Sequence, residues 1–138
     1  QIPQTSTTTA DDDQLRERCL AMVPQTLTQV ETWSLNDALA QVMDVVGAVN
    51  RYLEQTAPWK LAKEGQADRV ATILYTATET LRLTSILLYP VMPERMAELW
   101  RRLGWQPAEP LRESLVWGVL QPGTQVLAGP PLFPRDRA

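Results

Sequence analysis

The chain contains no histidine and a single cysteine, Cys19. The first absence removes imidazole acid–base catalysis and histidine metal ligation together. With one thiol besides, there is neither an internal disulfide framework nor a ligand set for zinc. Glycine is scarce, at six residues, and none sits in a phosphate-cradling loop. No apolar run reaches the roughly 18 residues that span a bilayer. The opening QIPQTSTTTADDD has neither a basic start nor an apolar core, and does not read as a signal peptide. One cysteine fits a reducing compartment, so a cytoplasmic location is expected. No chemistry emerges that the chain could run alone. A recognition or interaction role is left.

What is present is a core. Of 138 residues, 44% are hydrophobic, enough for one folded domain. The net charge of −3 is unevenly spread. Residues 1–50 carry two basic side chains, Arg16 and Arg18, against seven acidic ones, whereas the remainder carries eleven basic against nine acidic. That mild basic bias is a weak nucleic-acid signal.

Residues 1–10 are polar and threonine-rich and read as a flexible segment. Asp11, Asp12 and Asp13 suit a helix N-terminus. Leu15, Cys19, Met22, Val23, Leu27 and Val30 then recur at helical spacing. Pro24, inside that pattern, either kinks one helix or starts a second. Ser34 with Asp37 resembles a capping box. It opens a helix to about Gln55, whose stripe is Leu39, Val42, Met43, Val46, Val49 and Leu53. Asn50 lies on that stripe. It either bonds backbone at a helix junction, buried near the Ala57–Pro58 corner, or faces a ligand. A third helix spans 67–88, with Val70, Ile73, Leu74, Ala77, Leu81, Thr84 and Leu88 inward. Tyr89-Pro90 ends it, Pro93 opens another and Gly104 stops that one. Met96, Leu99, Trp100 and Leu103 face inward there. Residues 105–138 hold six prolines and three glycines and lose helical periodicity. They read as an extended strap anchored by Trp105, Trp117, Leu132 and Phe133. LVWGVL (115–120) is a short strand or an extended packing segment, and PGTQ (122–125) is a turn. The expected fold is an all-α helical bundle with a proline-rich C-terminal strap.

One corner asks for more than a helix stop. QTAPWKLAKEG (55–65) places Pro58 and Trp59 back to back, followed by Lys60 and Lys63. From the residues alone, Trp59 is either a core anchor or an exposed stacking surface. The longer stretch NRYLEQTAPWKLAKE (50–64) resembles the anticodon-binding domain of methionyl-tRNA synthetases. Asn50, Tyr52, Glu54, Pro58, Trp59 and Lys63 stand in the family's order. SLNDAL, LLYPVMPERMAELWRRLG and the closing LFPR extend the similarity to about 11–138.

The resemblance implies a class Ia anticodon-binding domain that recognises the CAU anticodon of methionine tRNA. Trp59 stacks on an anticodon base and Pro58 fixes its approach. Asn50, Lys60 and Lys63 are candidates for orienting the corner or contacting phosphates. No cofactor is implied for this chain. ATP and magnesium are implied for a parent methionine–tRNA ligase, with the parent's catalytic domain and methionine tRNA as partners. The family's histidine-containing signature and lysine-rich loop are missing here, as is its base-reading Asn/Arg pair on the domain's first helix. The chain is therefore expected to begin just after that helix, with the gap covered either by a two-fold homodimer or by the chain's own flexible N-terminal residues. Two alternatives stay open. One is the anticodon domain of another class Ia synthetase. The other is a helical protein-interaction module without an RNA role, which requires a buried Trp59. Trp33, Trp100, Trp105 and Trp117 are expected to be packing residues.

Overall fold

The computed structural model describes residues 2, 8–107 and 111–133, the side chain of Leu111 excepted. Five helices follow in order: α1 (Ala10–Glu31), α2 (Leu35–Thr56), α3 (Pro58–Lys63), α4 (Ala67–Leu88) and α5 (Pro93–Leu103). A 3-10 turn, Leu111–Ser114, leads into the irregular C-terminal segment. No strand forms among the described residues, and LVWGVL is bent, extended backbone. No helix among them is long and apolar enough to cross a membrane. The bundle and strap expected from the sequence are what is found.

α1 and α2 pack antiparallel, and α4 lies against α1, α2, α3 and α5. α1 passes through Pro24 as one continuous helix, which settles that alternative. At its start the Thr9 backbone N–H donates to Asp12 Oδ2 at 2.8 Å. This is the return bond of a capping box, one helix earlier than expected. Ser34 makes no side-chain capping bond to α2.

α2 is rotated from its expected orientation. It buries Ala38, Val42, Val45, Ala48, Val49 and Tyr52, while Leu39 and Met43 are exposed. Two alanines on the buried side let α1 and α4 approach, and large apolar residues on the adjacent side misled the periodicity. Val30 at the end of α1 and Leu74 on α4 are likewise exposed.

α4 is the central helix and is buried on most sides from Thr72 to Leu88. Its threonines at every fourth position need no outside partner. Thr76 Oγ1 donates to the Thr72 carbonyl and Thr80 Oγ1 to the Thr76 carbonyl, both at 2.8 Å. Cys19 is fully buried against this helix face, and burial followed by the nearby Glu79 charge pushes its thiol up to about 12. The lone thiol is therefore neutral and inert.

The strap is held by buried charge. Glu79 and Arg82 form an ion pair with both side chains 0% exposed. Arg82 donates to the carbonyls of Ser114, at 2.7 Å, and Val116, and its guanidinium lies 5.0 Å from the Trp105 ring centre. Glu79 accepts the Leu120 N–H at 3.3 Å, and Tyr75 Oη donates to the Leu120 carbonyl at 3.1 Å. An extended segment has no ladder to satisfy its backbone, so α4 side chains supply the partners. Farther along, the Leu127 N–H donates to the Arg102 carbonyl, and Arg102 Nη1 donates to the Pro130 carbonyl, both at 2.7 Å. Gly104 makes the crossing possible. It has φ of 66°, and an added Cβ would stand 2.7 Å from Thr124 Cγ2 and 2.9 Å from the Gln125 carbonyl oxygen.

Ile2 joins this layer. It is buried with Tyr75 and Leu120, and its backbone exchanges hydrogen bonds of 2.6 Å with Thr124 and Gly123. Trp105 and Trp117 pack half-buried against the core and Leu132 is half-buried, but Phe133 is exposed. Trp100 packs as expected, stacked on Tyr89 at 4.9 Å and edge-on to Trp105 at 5.6 Å. Its Nε1–H donates to Ser85 Oγ at 2.7 Å. Of the closing LFPR, Pro134 and Arg135 lie outside the described residues.

Trp33 departs from the packing role. It is 85% exposed, with φ of 62°. The Ser34 N–H reaches back to the Gln29 carbonyl at 2.7 Å, so the α1–α2 turn needs a left-handed residue at its apex. Tryptophan occupies the place that glycine usually takes, beyond the reach of either helix body.

Candidate functional site

The Pro-Trp corner is a helix of its own. α2 ends at Thr56 because proline two residues later has no N–H to donate and disfavours right-handed helix in the residue before it. Ala57 takes the left-handed conformation, φ 44° and ψ 63°, and caps both helices. Its N–H donates to the Leu53 carbonyl and its carbonyl accepts the Lys60 N–H, each at 2.9 Å. Pro58 is then the first residue of α3, where its fixed φ suits a helix start. Gly65, with φ of 78°, allows the second turn into α4.

Within α3 the faces are segregated. Pro58 is buried, and Leu61 packs with Leu53 against the Leu15, Tyr52 and Ile73 cluster. Trp59 is 53% exposed, and Lys60 and Lys63 are exposed, with no ion pair among the described residues. The corner thus presents a half-free indole beside two free ammonium groups. A buried Trp59, which the interaction-module alternative requires, is not found.

Asn50 does not take the place expected for it. It is exposed, and no described residue hydrogen-bonds its side chain. The rotation of α2 explains this: Val49 and Tyr52 turn inward, and Asn50 turns out with Arg51. A hydrogen-bonded group does stand behind the corner, but its members are Asp12, Tyr52 and Arg69. Asp12 is 2% exposed. Tyr52 Oη donates to its Oδ1, Arg69 Nη1 to its Oδ2, and Arg69 Nη2 to its Oδ1 at 3.0 Å. Arg69 Nη2 also reaches Thr9 Oγ1 at 3.0 Å. Burial alone would push the Asp12 carboxyl up, but the bonds from Arg69, Tyr52 and Thr9 outweigh it and hold the group below its ordinary value. Burial and the bond to Asp12 push the Tyr52 hydroxyl the other way. Helical periodicity had no means of finding this group, whose members come from three helices.

Two concave surfaces flank these elements. Beside the corner, a polar groove of about 290 Å³ between α1 and α2 is lined by Gln14, Arg18, Arg51, Tyr52 and Gln55. Arg18 pairs with Asp44, whereas Arg51 has no ion pair among the described residues. Toward the other end of the bundle, an apolar groove of about 540 Å³ is lined by Leu39, Met43, Leu81, Met92, Met96 and Phe133 among others. Among the described residues no group of three His, Cys, Asp or Glu side chains could hold a metal ion.

Residues 2–135 match the family described as the anticodon binding domain of methionyl tRNA ligase. The methionine–tRNA ligase of Thermotoga maritima is 34% identical over 133 residues, 96% of this chain and 21% of the relative. That of Streptomyces coelicolor is 40% identical over 115 residues, 76% of this chain and 21% of the relative. Apo Mycobacterium tuberculosis methionyl-tRNA synthetase superposes with a TM-score of 0.90 at 26% identity, over 99% of this chain and 28% of that one. The same enzyme in complex with methionyl-adenylate gives 0.89 at 27%, over 97% and 27%. The chain spans about a fifth of the length of these curated relatives. The Pro58–Trp59 corner and the five-helix frame that displays it thus stand in a chain that belongs to the methionyl-tRNA ligase anticodon-binding domain family.

Proposed function

We propose that the chain recognises the CAU anticodon of methionine tRNA, with Trp59 as the stacking surface for one anticodon base. The observation that carries this reading is the half-exposed indole on α3, displayed by Ala57 and Pro58. Bases of a single-stranded loop are splayed out and recognised on aromatic faces. Pro58 is buried, so its part is to set the direction of α3 and not to touch RNA. Starting the helix at a fixed φ reduces the ordering cost of presenting the indole. Lys60 and Lys63 stand ready for phosphates, and Arg51 beside the polar groove adds a cation that sequence motifs did not single out. Asn50, being exposed, is retained as a direct RNA contact and not as a support of the corner.

The complete gene product, in this reading, is a cytoplasmic methionine–tRNA ligase whose catalytic domain works with ATP, methionine and magnesium. In the same reading this chain's contribution is recognition of the tRNA. A two-fold homodimer of this chain by itself, as distinct from the complete gene product, belongs to the same proposal. The apolar groove is the surface available for it, and sedimentation at graded concentrations tests it.

The deciding experiment is Trp59→Ala in the complete gene product, read by aminoacylation of methionine tRNA. The expected result is a loss of kcat/KM worth about 1–3 kcal/mol, the scale of one stacked base, with an unchanged thermal midpoint. A fall in midpoint with normal charging would make Trp59 a packing residue.

A further inference from the structure

We infer that Asp12, Tyr52 and Arg69 are the positioning residues of the Trp59 corner, clamping the end of α2 to the start of α4 and so fixing the helix strung between them. The inference rests on the reading of Trp59 as an RNA-stacking residue. Its starting point is how little α3 can do for itself. Six residues are too few to hold a helix in water. α3 is tied to α2 by one residue, Ala57, and to α4 by the short turn through Gly65. With so little slack, its direction follows from where α2 ends and where α4 begins.

The three residues meet at those two points. Tyr52 lies in the last turns of α2, Arg69 in the first turn of α4, and Asp12 in the first turn of α1. Asp12 accepts from Tyr52, Arg69 and the Thr9 N–H, so both of its oxygens are engaged. Apolar contacts in the adjoining cluster of Leu15, Ala48, Val49, Ile73 and Ala77 hold the helices together through a force that has no direction of its own. Bonds from a hydroxyl and a guanidinium to one carboxylate are directional. The chemistry also argues against a purely stabilising purpose. A buried ion pair is a weak source of stability compared with apolar groups of the same volume. The Tyr52 ring already sits among apolar side chains, where phenylalanine would pack as well. What the hydroxyl adds is the bond to Asp12 and a polar contact with Thr76 on α4, both between helices.

The test uses Trp59→Ala, Tyr52→Phe and the double variant in the complete gene product. Fluorescence anisotropy follows binding of a labelled CAU anticodon stem-loop and of a stem-loop with a scrambled anticodon, with circular dichroism as the folding control. Trp59→Ala is expected to weaken CAU binding about 5- to 150-fold. Tyr52→Phe is expected to weaken it by at least about threefold, and to add clearly less in the Trp59→Ala background, where only Lys60 and Lys63 of α3 are left to misplace. That non-additivity separates positioning from support of the domain at large, which lowers affinity equally in both backgrounds. Tyr52→Phe binding like the unmodified protein, or acting additively, overturns the clamp while leaving the stacking reading intact. Unchanged binding by Trp59→Ala overturns the stacking reading, and the clamp with it.

Discussion

Two buried charge clusters hold this molecule, and they do different work. Under the strap, Glu79 and Arg82 are sealed from solvent and spend their hydrogen bonds on backbone: the carbonyls of Ser114 and Val116 and the N–H of Leu120. At the corner, Asp12 is sealed but Arg69 is 22% exposed, and three of the bonds join side chains on different helices. The first cluster replaces the hydrogen-bond partners that an irregular segment lacks. The second accepts one backbone N–H, that of Thr9 at the start of α1, and otherwise joins side chains to set the relative placement of helices. A cluster that completes a backbone is expected to govern stability, whereas one that joins finished helices is expected to govern geometry.

The largest expected effect follows from breaking the first cluster. Arg82→Met leaves a buried Glu79 charge and two strap carbonyls without a donor. It should cost about 3–5 kcal/mol, read from the denaturant midpoint. The double variant Glu79→Met/Arg82→Met sharpens the point. If the pair served only itself, removing both charges would restore stability. Here the strap backbone stays unsatisfied, so recovery should be partial.

Asp12→Asn should cost less, about 1–3 kcal/mol at neutral pH. The cost should also depend on pH. The Asp12 carboxyl is held below its ordinary value of 3.8 by its donors, so its contribution is fully present above that value. It is lost as pH falls from there through the lowered folded value. The gap between the two proteins should therefore shrink below about pH 4 in acid-unfolding titrations. A gap constant down to full protonation would mean that the carboxylate charge is irrelevant to the clamp.

The smallest effects are expected at the surface. Arg101 and Arg102 lower the Glu98 carboxyl to about 2, but of the three only Arg101 is open to solvent, Arg102 being half-buried under the strap. Arg101→Gln should leave the thermal midpoint where it is, because exposed pairs are screened. Met43→Lys should stay within about 0.5 kcal/mol, since Met43 is exposed despite its place on an apolar stripe. A large loss there would return Met43 to the core and the α2 rotation to its expected setting.

The sequence by itself determined α2, α4 and α5, nearly to their ends, and the place of the corner, whereas α3 as a helix and the continuity of α1 through Pro24 came from the structure. α4 lies where its periodicity placed it, between Ala67 and Leu88, and α5 between Pro93 and Leu103, because proline and glycine act locally on the backbone. The Pro58–Trp59 pair likewise announced a corner that a helix stop does not need. Which side of each helix faces inward was a different matter. Two adjacent sides of α2 are apolar, and only the positions of α1 and α4 decided that Val45 and Tyr52 turn in and Leu39, Met43 and Asn50 turn out. The same holds for Trp33, whose hydrophobicity suggested packing until the turn geometry put it at an apex. The partners of Asp12, Tyr52 and Arg69 lie 40 and 57 residues apart in sequence. Local propensity can place each of them on a helix, but only the packing of three helices brings a hydroxyl and a guanidinium to one carboxylate.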